Sequence, residues 1–463
     1  MTARGAVKNW KTARVAVIGL ARSGVAACLF LKKRGARVVG TDRREAAELG
    51  AVPAELTAAG VELSLGTYPN LVEFDAIILS PGVDPAQDLV AKAAAAGVFI
   101  LPELELGAAE VRGRIVCITG TKGKSTTTVS LHAMLLKAGR DARAVGNIGE
   151  PITGQVDGSD ERTLFVTEAS SFQLETTKEF RPDCAVFLNL FADHLDRHPT
   201  LEAYAAAKAR IFANQTAKDT AIVNGEDAKV LELARQTRAN VIPFHPRIGP
   251  PKEAKGRASY FENGEARFRD AVVTTLFSGS DVQIPGSAVR ANLLAAASAA
   301  HHLGAESVSI REAVRAFRGV PHTFERLGEV RGVTFFNDSK ATTLESVEVG
   351  LRSFDSPVIA IMGGRLKAGS FRSLREAVAG RVRSIQAIGE SRGLIRDAFK
   401  DLCPVLEASS LPAAVSSAFD EAKPGDTILL SPGCSSFDMF RDYAERGNVF
   451  RQAFHDLSLQ GAA

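Results

Sequence analysis

The sequence predicts an α/β protein made of three units in series, each a parallel sheet of buried strands joined by crossover helices. Two observations carry that prediction. Short aliphatic, β-branched runs alternate with helical runs along most of the chain, and this βαβ grammar restarts twice, at Arg114 and after Pro321. Length agrees, since 463 residues at about 150 per domain make roughly three domains.

In the first unit, residues 14–20 (RVAVIGL) have the continuous apolar pattern of a central strand. A glycine-containing turn and a helical stretch, 25–33, come next. Gly35 then precedes a strand over 36–40 with Asp42 at its tip, and residues 76–80 (AIILS) make a third strand that stops at Pro81-Gly82. Residues 101–107 (LPELELG) read as a passage between domains. The second unit has strands at 114–118, 163–166, 184–188, 220–223 and 241–244, with the loop 119–123 running into a helix at Lys124. Its polar, glycine-bearing stretch 249–275 reads as a hairpin-and-loop excursion. The small, Ala-rich stretch 291–303 reads as a helix packed closely on a sheet. In the third unit, strands are expected at 333–336, 357–362, 382–388 and 427–431. Helices are expected near 373–378, 393–400 and 413–421, with a final one over 438–457.

Composition excludes several classes. Fifty-six basic against 53 acidic residues leave +3, with no long basic run to attract nucleic acid or an anionic membrane. Five scattered cysteines without a CxxC pair argue against a disulfide scaffold or structural zinc and fit a reducing compartment. The apolar run 15–20 is too short for a signal or membrane segment, and no 18-residue uncharged apolar run occurs. A soluble, cytoplasmic protein without membrane insertion is expected.

Gly120-Thr121-Lys122-Gly123-Lys124-Ser125, followed by Thr126, lies between a strand and a helix. Glycines there let the backbone curl until several N–H groups converge on phosphate oxygens, and the helix N-terminus adds positive potential. Lys124 can reach the β- and γ-phosphates, and the Ser125 hydroxyl can position Mg²⁺. Residue 118 is Ile where the eight-position Walker pattern has glycine, so this is a shortened form. Gly19-Leu20-Ala21-Arg22-Ser23-Gly24 is a weaker cousin of the dinucleotide fingerprint, with Ala at the middle glycine. It is compatible with NAD, with another nucleotide-linked group, or with a packing turn.

Two polar constellations follow strands. Glu168, in Glu168-Ala-Ser-Ser-Phe-Gln-Leu-Glu175, stands at a strand end where a hard-cation ligand belongs. Residues 189–198 (NLFADHLDRH) crowd polar and ionisable groups behind the strand 184–188, a pattern also open to an Asp/His zinc site or a solvated loop. Lys208, ten residues past His198, is by itself an ordinary helix lysine. In the third unit Asp338, Lys340 and Thr342 follow a strand, and Lys340 could answer phosphate or carboxylate charge. Lys367, beside Gly363-Gly364, suits the carboxylate of a small substrate.

These motifs together resemble the Mur ligase family, over nearly the whole chain and in order. They are residues 120–126 (GTKGKST), 168–175, Asp193-His-Leu-Asp-Arg-His198 with Tyr204-Ala-Ala-Ala-Lys208, and Asn337-Asp-Ser-Lys-Ala-Thr342. The segments Ser431-Pro-Gly-Cys-Ser-Ser-Phe-Asp438 and Tyr443-Ala-Glu-Arg-Gly-Asn448 are most like its D-glutamate-adding members. The resemblance implies three domains: 1–108 binding a UDP-linked substrate, 109–319 a phosphate-loop ATPase, and 320–463 a Rossmann-like domain that binds D-glutamate and closes over ATP. It implies an ATP-dependent amide ligase that joins D-glutamate to UDP-N-acetylmuramoyl-L-alanine through an acyl phosphate, acting as a monomer with two Mg²⁺ ions. Lys208 would be carbamylated and would share the metal with Glu168, His194 and Ser125, His194 acting as base, ligand or phosphate contact. Arg22, Ser23, Asp42, Arg43, Arg44, Ser80, Gly82, Asn147 and Ser170 would contact the UDP-linked substrate. Asn292 and Asp338 would lie on the ATP side. Lys340, Thr342, Lys367, Ser436, Phe437 and Tyr443 would serve the amino-acid substrate side.

The chain departs from the family pattern at Ala288 and Val289, where His-Asn is common, at Thr323, where an arginine is usual, and at Ser370, where an acidic residue is usual. Arg290 or Arg326 are candidates to compensate on the nucleotide side. Two other readings follow from the same residues: a relative acting on another amino acid or on folate, and a non-catalytic ATP-binding regulator.

Overall fold

A computed structural model of the chain describes residues 10–247, 249 and 256–461. The start of the polar leader and part of the excursion expected over 249–275 lie outside the described residues. The first sheet contains β1 (Arg14–Ile18), β2 (Arg37–Asp42), β3 (Glu62–Leu65), β4 (Ala76–Leu79) and β5 (Phe99–Pro102), all parallel, in the order β3-β2-β1-β4-β5. Reversal of the order on either side of β1 places a crevice at the carboxyl ends of β1 and β4, where open sheets of this kind take their ligands.

The second sheet has nine strands: β6 (Arg114–Thr119), β7 (Ala142–Gly146), β8 (Leu164–Glu168), β9 (Cys184–Phe187), β10 (Thr220–Asn224), β11 (Asn240–His245), β12 (Ala258–Glu262), β13 (Glu265–Arg269) and β14 (Val273–Ser278). Their order is β14-β13-β12-β11-β10-β9-β6-β8-β7, parallel from β7 to β12 and antiparallel at the β12-β13-β14 meander. The excursion is therefore an antiparallel extension of the sheet. The Ala-rich helix, Ser287–His302, is buried along Asn292–Ala300, as its small residues require.

The third sheet contains β15 (Glu325–Val330), β16 (Val333–Asn337), β17 (Val358–Gly363), β18 (Val382–Ile388), β19 (Val405–Glu407) and β20 (Thr427–Leu430), in the order β15-β16-β20-β17-β18-β19. Only the β15-β16 hairpin is antiparallel. The sequence reading lacks β15 and β19 because their burial is partial and carries no continuous apolar run. The last helix begins at Tyr443, five residues later than expected, because the segment before it is a loop folded against the sheet end.

By compactness the described residues divide into two units, those within 1–279 and 291–314, and those within 280–290 and 315–463. Within the first, one apolar cluster runs through both sheets, from Val15 and Val17 to Phe165, Phe187 and Val223. The segment expected as a passage between domains lies inside it. Residues 99–102 form β5, and the helix Glu103–Ala108 buries Leu104 and Leu106 in that cluster. Its two carboxylates are buried too. Glu105 accepts the amide N–H groups of Lys178 and Glu179, both at 2.6 Å. Glu103 Oε1 accepts the Thr153 amide at 2.8 Å and its hydroxyl at 2.6 Å, while Oε2 has no partner.

Burial pushes the Glu103 carboxyl up from 4.5 to about 7. The folded chain holds that proton where the unfolded chain has released it, so this group's contribution to stability falls as pH rises from about 4.5 to about 7. Chemical denaturation of Glu103→Gln against the parent at pH 4.5 and pH 8 should show their stability difference moving in favour of the variant at the higher pH, by on the order of 2–3 kcal/mol. A constant difference would mean that Glu103 keeps an ordinary carboxylate range.

Candidate active site

The phosphate loop follows β6, and its shape is fixed from outside. Asn189, just past β9, accepts the amides of Thr121 and Lys122 at 3.0 and 2.9 Å and donates to the Lys122 carbonyl at 3.0 Å. The Thr121 hydroxyl donates to the Phe191 carbonyl at 3.1 Å and accepts the Phe191 amide at 3.1 Å. Gly123 has a left-handed φ of 87°, and a Cβ there would overlap the Asn292 carboxamide. Glycine is thus required twice over, and Asn292 lies against the loop as expected. Ser125 and Thr126, both half-buried, start the helix Lys124–Lys137. Lys122 is exposed and pairs with Asp193 at 3.2 Å, tying the loop to the polar segment after β9.

Two lysines meet at one carbonyl. Lys124 donates to Gly120 O at 3.1 Å and to Thr121 O at 3.0 Å, and Lys208 donates to Gly120 O at 2.9 Å. Lys208 comes from the helix Leu201–Ala209 and is 1% exposed, so its ordinary reading as a surface lysine fails. Burial, and then the positive charge of Lys124, drop its ammonium to about 7. Its Nζ lies 4.7 Å from the centre of the Tyr204 ring. Buried Glu168, at the end of β8, accepts from the Asn147 side chain at 2.6 Å through one oxygen, and its other oxygen is buried without a partner.

His194 is exposed, in a left-handed conformation (φ 54°), and its ring stands edge-on to Phe172 at 4.9 Å. The Tyr204 ring lies 6.3 Å from that of His194 and 5.5 Å from that of His198. His198 is buried, hydrogen-bonded to Ser171 at 3.0 Å and stacked on Phe172. Among the described residues no three carboxylate, imidazole or thiol groups converge as a ready-made metal cluster. The five cysteines are buried and free. The unpartnered Glu168 oxygen fits Mg²⁺, which takes one or two protein oxygens and fills its octahedron with water and phosphate.

A cavity of about 500 Å³ opens at the switch point of the first sheet. Gly19, Arg22, Ser23, Asp42, Arg43, Arg44, Ser80 and Gly82 line it together with Asn147 and Gln173. A Cβ at Gly24 would overlap the Gly19 carbonyl, so the turn closes as tightly as a dinucleotide fingerprint does. Asp42 is committed to the protein: it accepts the Leu20 amide at 2.8 Å and holds Arg44 through two bonds. The Arg44 guanidinium pulls its carboxyl down to about 2. Arg43 lies over the Tyr68 ring and donates to Gln87 at 2.7 Å. Ser170 caps the short helix Ser171–Leu174 by accepting the Gln173 amide, and its hydroxyl also meets the Gln173 side chain.

In the second unit Lys367 donates to Thr342 at 3.4 Å, and Lys340 lies 6.0 Å from the centre of the Tyr443 ring. Ser436 is buried, whereas Phe437 is 67% exposed. Asp338 is buried, accepting the Phe324 amide at 3.0 Å and the Ser431 hydroxyl at 3.4 Å, and burial pushes its carboxyl up to about 7. Thr323, at the expected arginine position, buries a hydroxyl without a partner. Arg326 pairs with Glu329 at 3.7 Å, and Arg290 is exposed. The sequence analysis placed Asn189 and Arg197 in the polar run behind a strand without giving either a role of its own, and it assigned no role to Tyr68, Gln87, Phe172 or Tyr204.

Family descriptions match most of the chain: a Mur ligase MurD-like N-terminal domain over residues 13–102, a Mur ligase middle domain over 118–300 and a Mur ligase glutamate ligase domain over 323–434. Proteins named UDP-N-acetylmuramoylalanine--D-glutamate ligase are similar over nearly their full length. That of Acidobacterium capsulatum is 38% identical over 98% of both chains. That of Desulfitobacterium hafniense is 37% identical over 96% of this chain and 98% of its own. Among solved structures, UDP-N-acetylmuramate-alanine ligase of Thermotoga maritima shares the fold at TM-score 0.57 and 17% identity, covering 96% of this chain and 99% of its own. The MurF ligase of the same organism, in complex with ADP, does so at 0.56 and 17%, covering 91% and 95%. With three domain matches in order and full-length relatives well above 30% identity, the chain belongs to the Mur ligase family.

Proposed function

We propose that the chain joins D-glutamate to UDP-N-acetylmuramoyl-L-alanine at the expense of ATP, the D-glutamate-adding step of peptidoglycan precursor synthesis. Residues 1–108 would bind the UDP-linked substrate, 109–319 ATP, and 320–463 D-glutamate. The names of the full-length relatives support the substrates. The observation that carries the chemistry is the meeting of Lys124 and Lys208 at Gly120, with Glu168, which keeps an unpartnered oxygen, near enough for its charge to act on Lys208.

Of the loop 121–126, the amides of Thr121 and Lys122 are held by Asn189, and the N–H groups of residues 123–126 with the Lys124 ammonium would hold the triphosphate, positioning and neutralising it for attack. An oxygen of the alanyl carboxylate attacks the γ-phosphorus as the bond to ADP breaks, giving an acyl phosphate. The D-glutamate amine then attacks the acyl carbon; the C–O bond to phosphate breaks, phosphate departs with the electron pair, and the nitrogen loses a proton. Lys208, with its ammonium at about 7, is partly a free amine at neutral pH, and a free amine takes up CO₂ to become a carbamate anion. That modification relieves the repulsion from Lys124 and gives Glu168 a second anionic oxygen donor beside it. Glu168, the carbamate and Ser125 would hold Mg²⁺, which supplies charge neutralisation on the phosphates. Two ions are proposed, with His194 at the outer side of the metal set. Lys367, Thr342 and Ser436 offer cationic and hydroxyl partners for the two carboxylates of D-glutamate. Lys340, Phe437 and Tyr443 would complete that side.

Phosphate release by the purified chain should require ATP, UDP-N-acetylmuramoyl-L-alanine and D-glutamate together. Across a panel of amino acids only D-glutamate should support it. Turnover with another amino acid would favour the neighbouring ligase reading, and no turnover at all the regulatory one. Lys124→Ala should lower kcat by on the order of 10³-fold, as loss of a principal phosphate cation does.

For Lys208, carbon NMR in ¹³C-bicarbonate should show one carbamate carbonyl signal that Lys208→Ala lacks. Because only the neutral amine captures CO₂, the signal and kcat should fall together as pH drops below about 7. Full turnover by Lys208→Ala would refute the carbamate.

A further inference from the structure

We infer that Arg197 is a positioning residue that couples the wall of the UDP-substrate cavity to the turn carrying His194; the functional consequence rests on the ligase reading above. Residues 194–198 form one tight turn, in which the His194 carbonyl accepts the amides of Arg197 at 3.1 Å and His198 at 2.9 Å. From that turn the Arg197 side chain reaches into the first domain. It donates to the Val83 carbonyl at 3.0 Å and pairs with Asp84 at 3.4 Å. On its other side it forms an ion pair with Glu175, just past the short helix that carries Phe172. Its guanidinium lies over the Phe172 ring at 5.6 Å, the same ring that packs on His194 and His198.

The far end of this bridge belongs to the cavity. Val83 lines it, and the Val83 amide donates to Ser80 O at 2.9 Å, closing the turn Ser80-Pro81-Gly82-Val83. Any shift of that turn is therefore passed through Arg197 to the backbone that sets His194. Other contacts join the same two domains, including Asp157 with Lys33 at 2.7 Å and Arg34 at 3.2 Å. Those pairs touch neither the cavity nor the turn, so they brace the domains without linking the sites. Arg197 and Glu175 side chains are each 14% exposed, which shields the pair from water and salt. Arginine suits the post, because its fork serves a carbonyl and two carboxylates in different directions, which a lysine ammonium does not reproduce.

The chemistry explains the need for coupling. A long substrate anchored in one domain must present its carboxylate to a phosphate held by the next, and a misplacement of about 1 Å costs on the order of 10²-fold. Arg197→Met should therefore lower kcat by about 30- to 100-fold at saturating substrates, with KM for ATP changed by less than about twofold, and Arg197→Lys should fall between. Asp84→Asn should lower kcat by a smaller factor, and the double variant should be no worse than Arg197→Met alone. Amide hydrogen exchange of the ligand-free protein supplies a readout independent of activity. In Arg197→Met it should quicken in both residues 82–86 and residues 193–198.

Retention of kcat within about threefold, additive losses in the double variant, or faster exchange confined to residues 193–198 would each overturn the coupling. Faster exchange in both segments, in a protein whose unaltered form shows no D-glutamate-dependent turnover, would uphold the mechanical link and bring down the ligase reading instead.

Discussion

Two ammonium groups donating to one backbone carbonyl is an unstable arrangement unless something relieves it, and the rest of this site follows from that constraint. Lys124 and Lys208 both reach Gly120 O, and Lys208 is out of contact with water. Like charges in a poorly hydrated place disfavour ionisation of one of them, and the buried one yields. A buried amine poised near neutrality is a nucleophile in a place where nucleophiles are rare. The centre of the Tyr204 ring lies 4.7 Å from Lys208 Nζ, and Lys208 is 1% exposed. An anion created there by carbamylation would turn a repulsive pair into an attractive one beside Glu168. On the proposed reading, the same side chain would change from a liability into a ligand.

Much of this could be read from the residues alone, for reasons specific to each element. The phosphate loop was legible because its glycines, Lys124 and Ser125 occupy consecutive positions between a strand and a helix. The crevice strands β1, β4, β6 and β9 were legible because central parallel strands are apolar on both faces. β3, β15 and β19 sit at sheet edges or are only partly buried, and their polar residues erase the pattern. The segment 101–107 misled because two glutamates in seven residues suggest solvent. In the folded chain backbone amides and a threonine satisfy those carboxylates inside the core. Lys208 was opaque to spacing and came only through family resemblance, since nothing within its own helix reveals that the face it occupies abuts a loop 88 residues earlier.

Asp42 lines the cavity at the first sheet's switch point, and its physical role there differs from the motif's usual one. In dinucleotide-binding folds an acidic residue at this strand end offers its oxygens to a ribose. Here both oxygens are occupied by Leu20 N–H and by Arg44, and the carboxyl is held far down the acid range. Its work is to fix the glycine turn and to aim Arg44 along the cavity wall. Positive side chains, Arg22, Arg43 and Arg44, are then what this cavity presents to a ligand. That charge matches a diphosphate better than the neutral hydroxyls of a ribose. The choice among the three open readings of residues 19–24 thus turns on where Asp42 points.

The departures on the nucleotide side can be weighed in the same terms. Replacing an arginine by Thr323 removes a cation and leaves a buried hydroxyl without a partner, which is a small local cost and no new charge. The neighbouring acid, Asp338, is pushed up to about 7 by the same buried setting and so carries little fixed charge needing compensation. A carboxyl in that state can donate or accept a hydrogen bond, and either form suits a sugar hydroxyl. The phosphate loop itself keeps Gly120, Gly123, Lys124 and Ser125, so the departures fall outside the motif on which the proposed triphosphate binding rests.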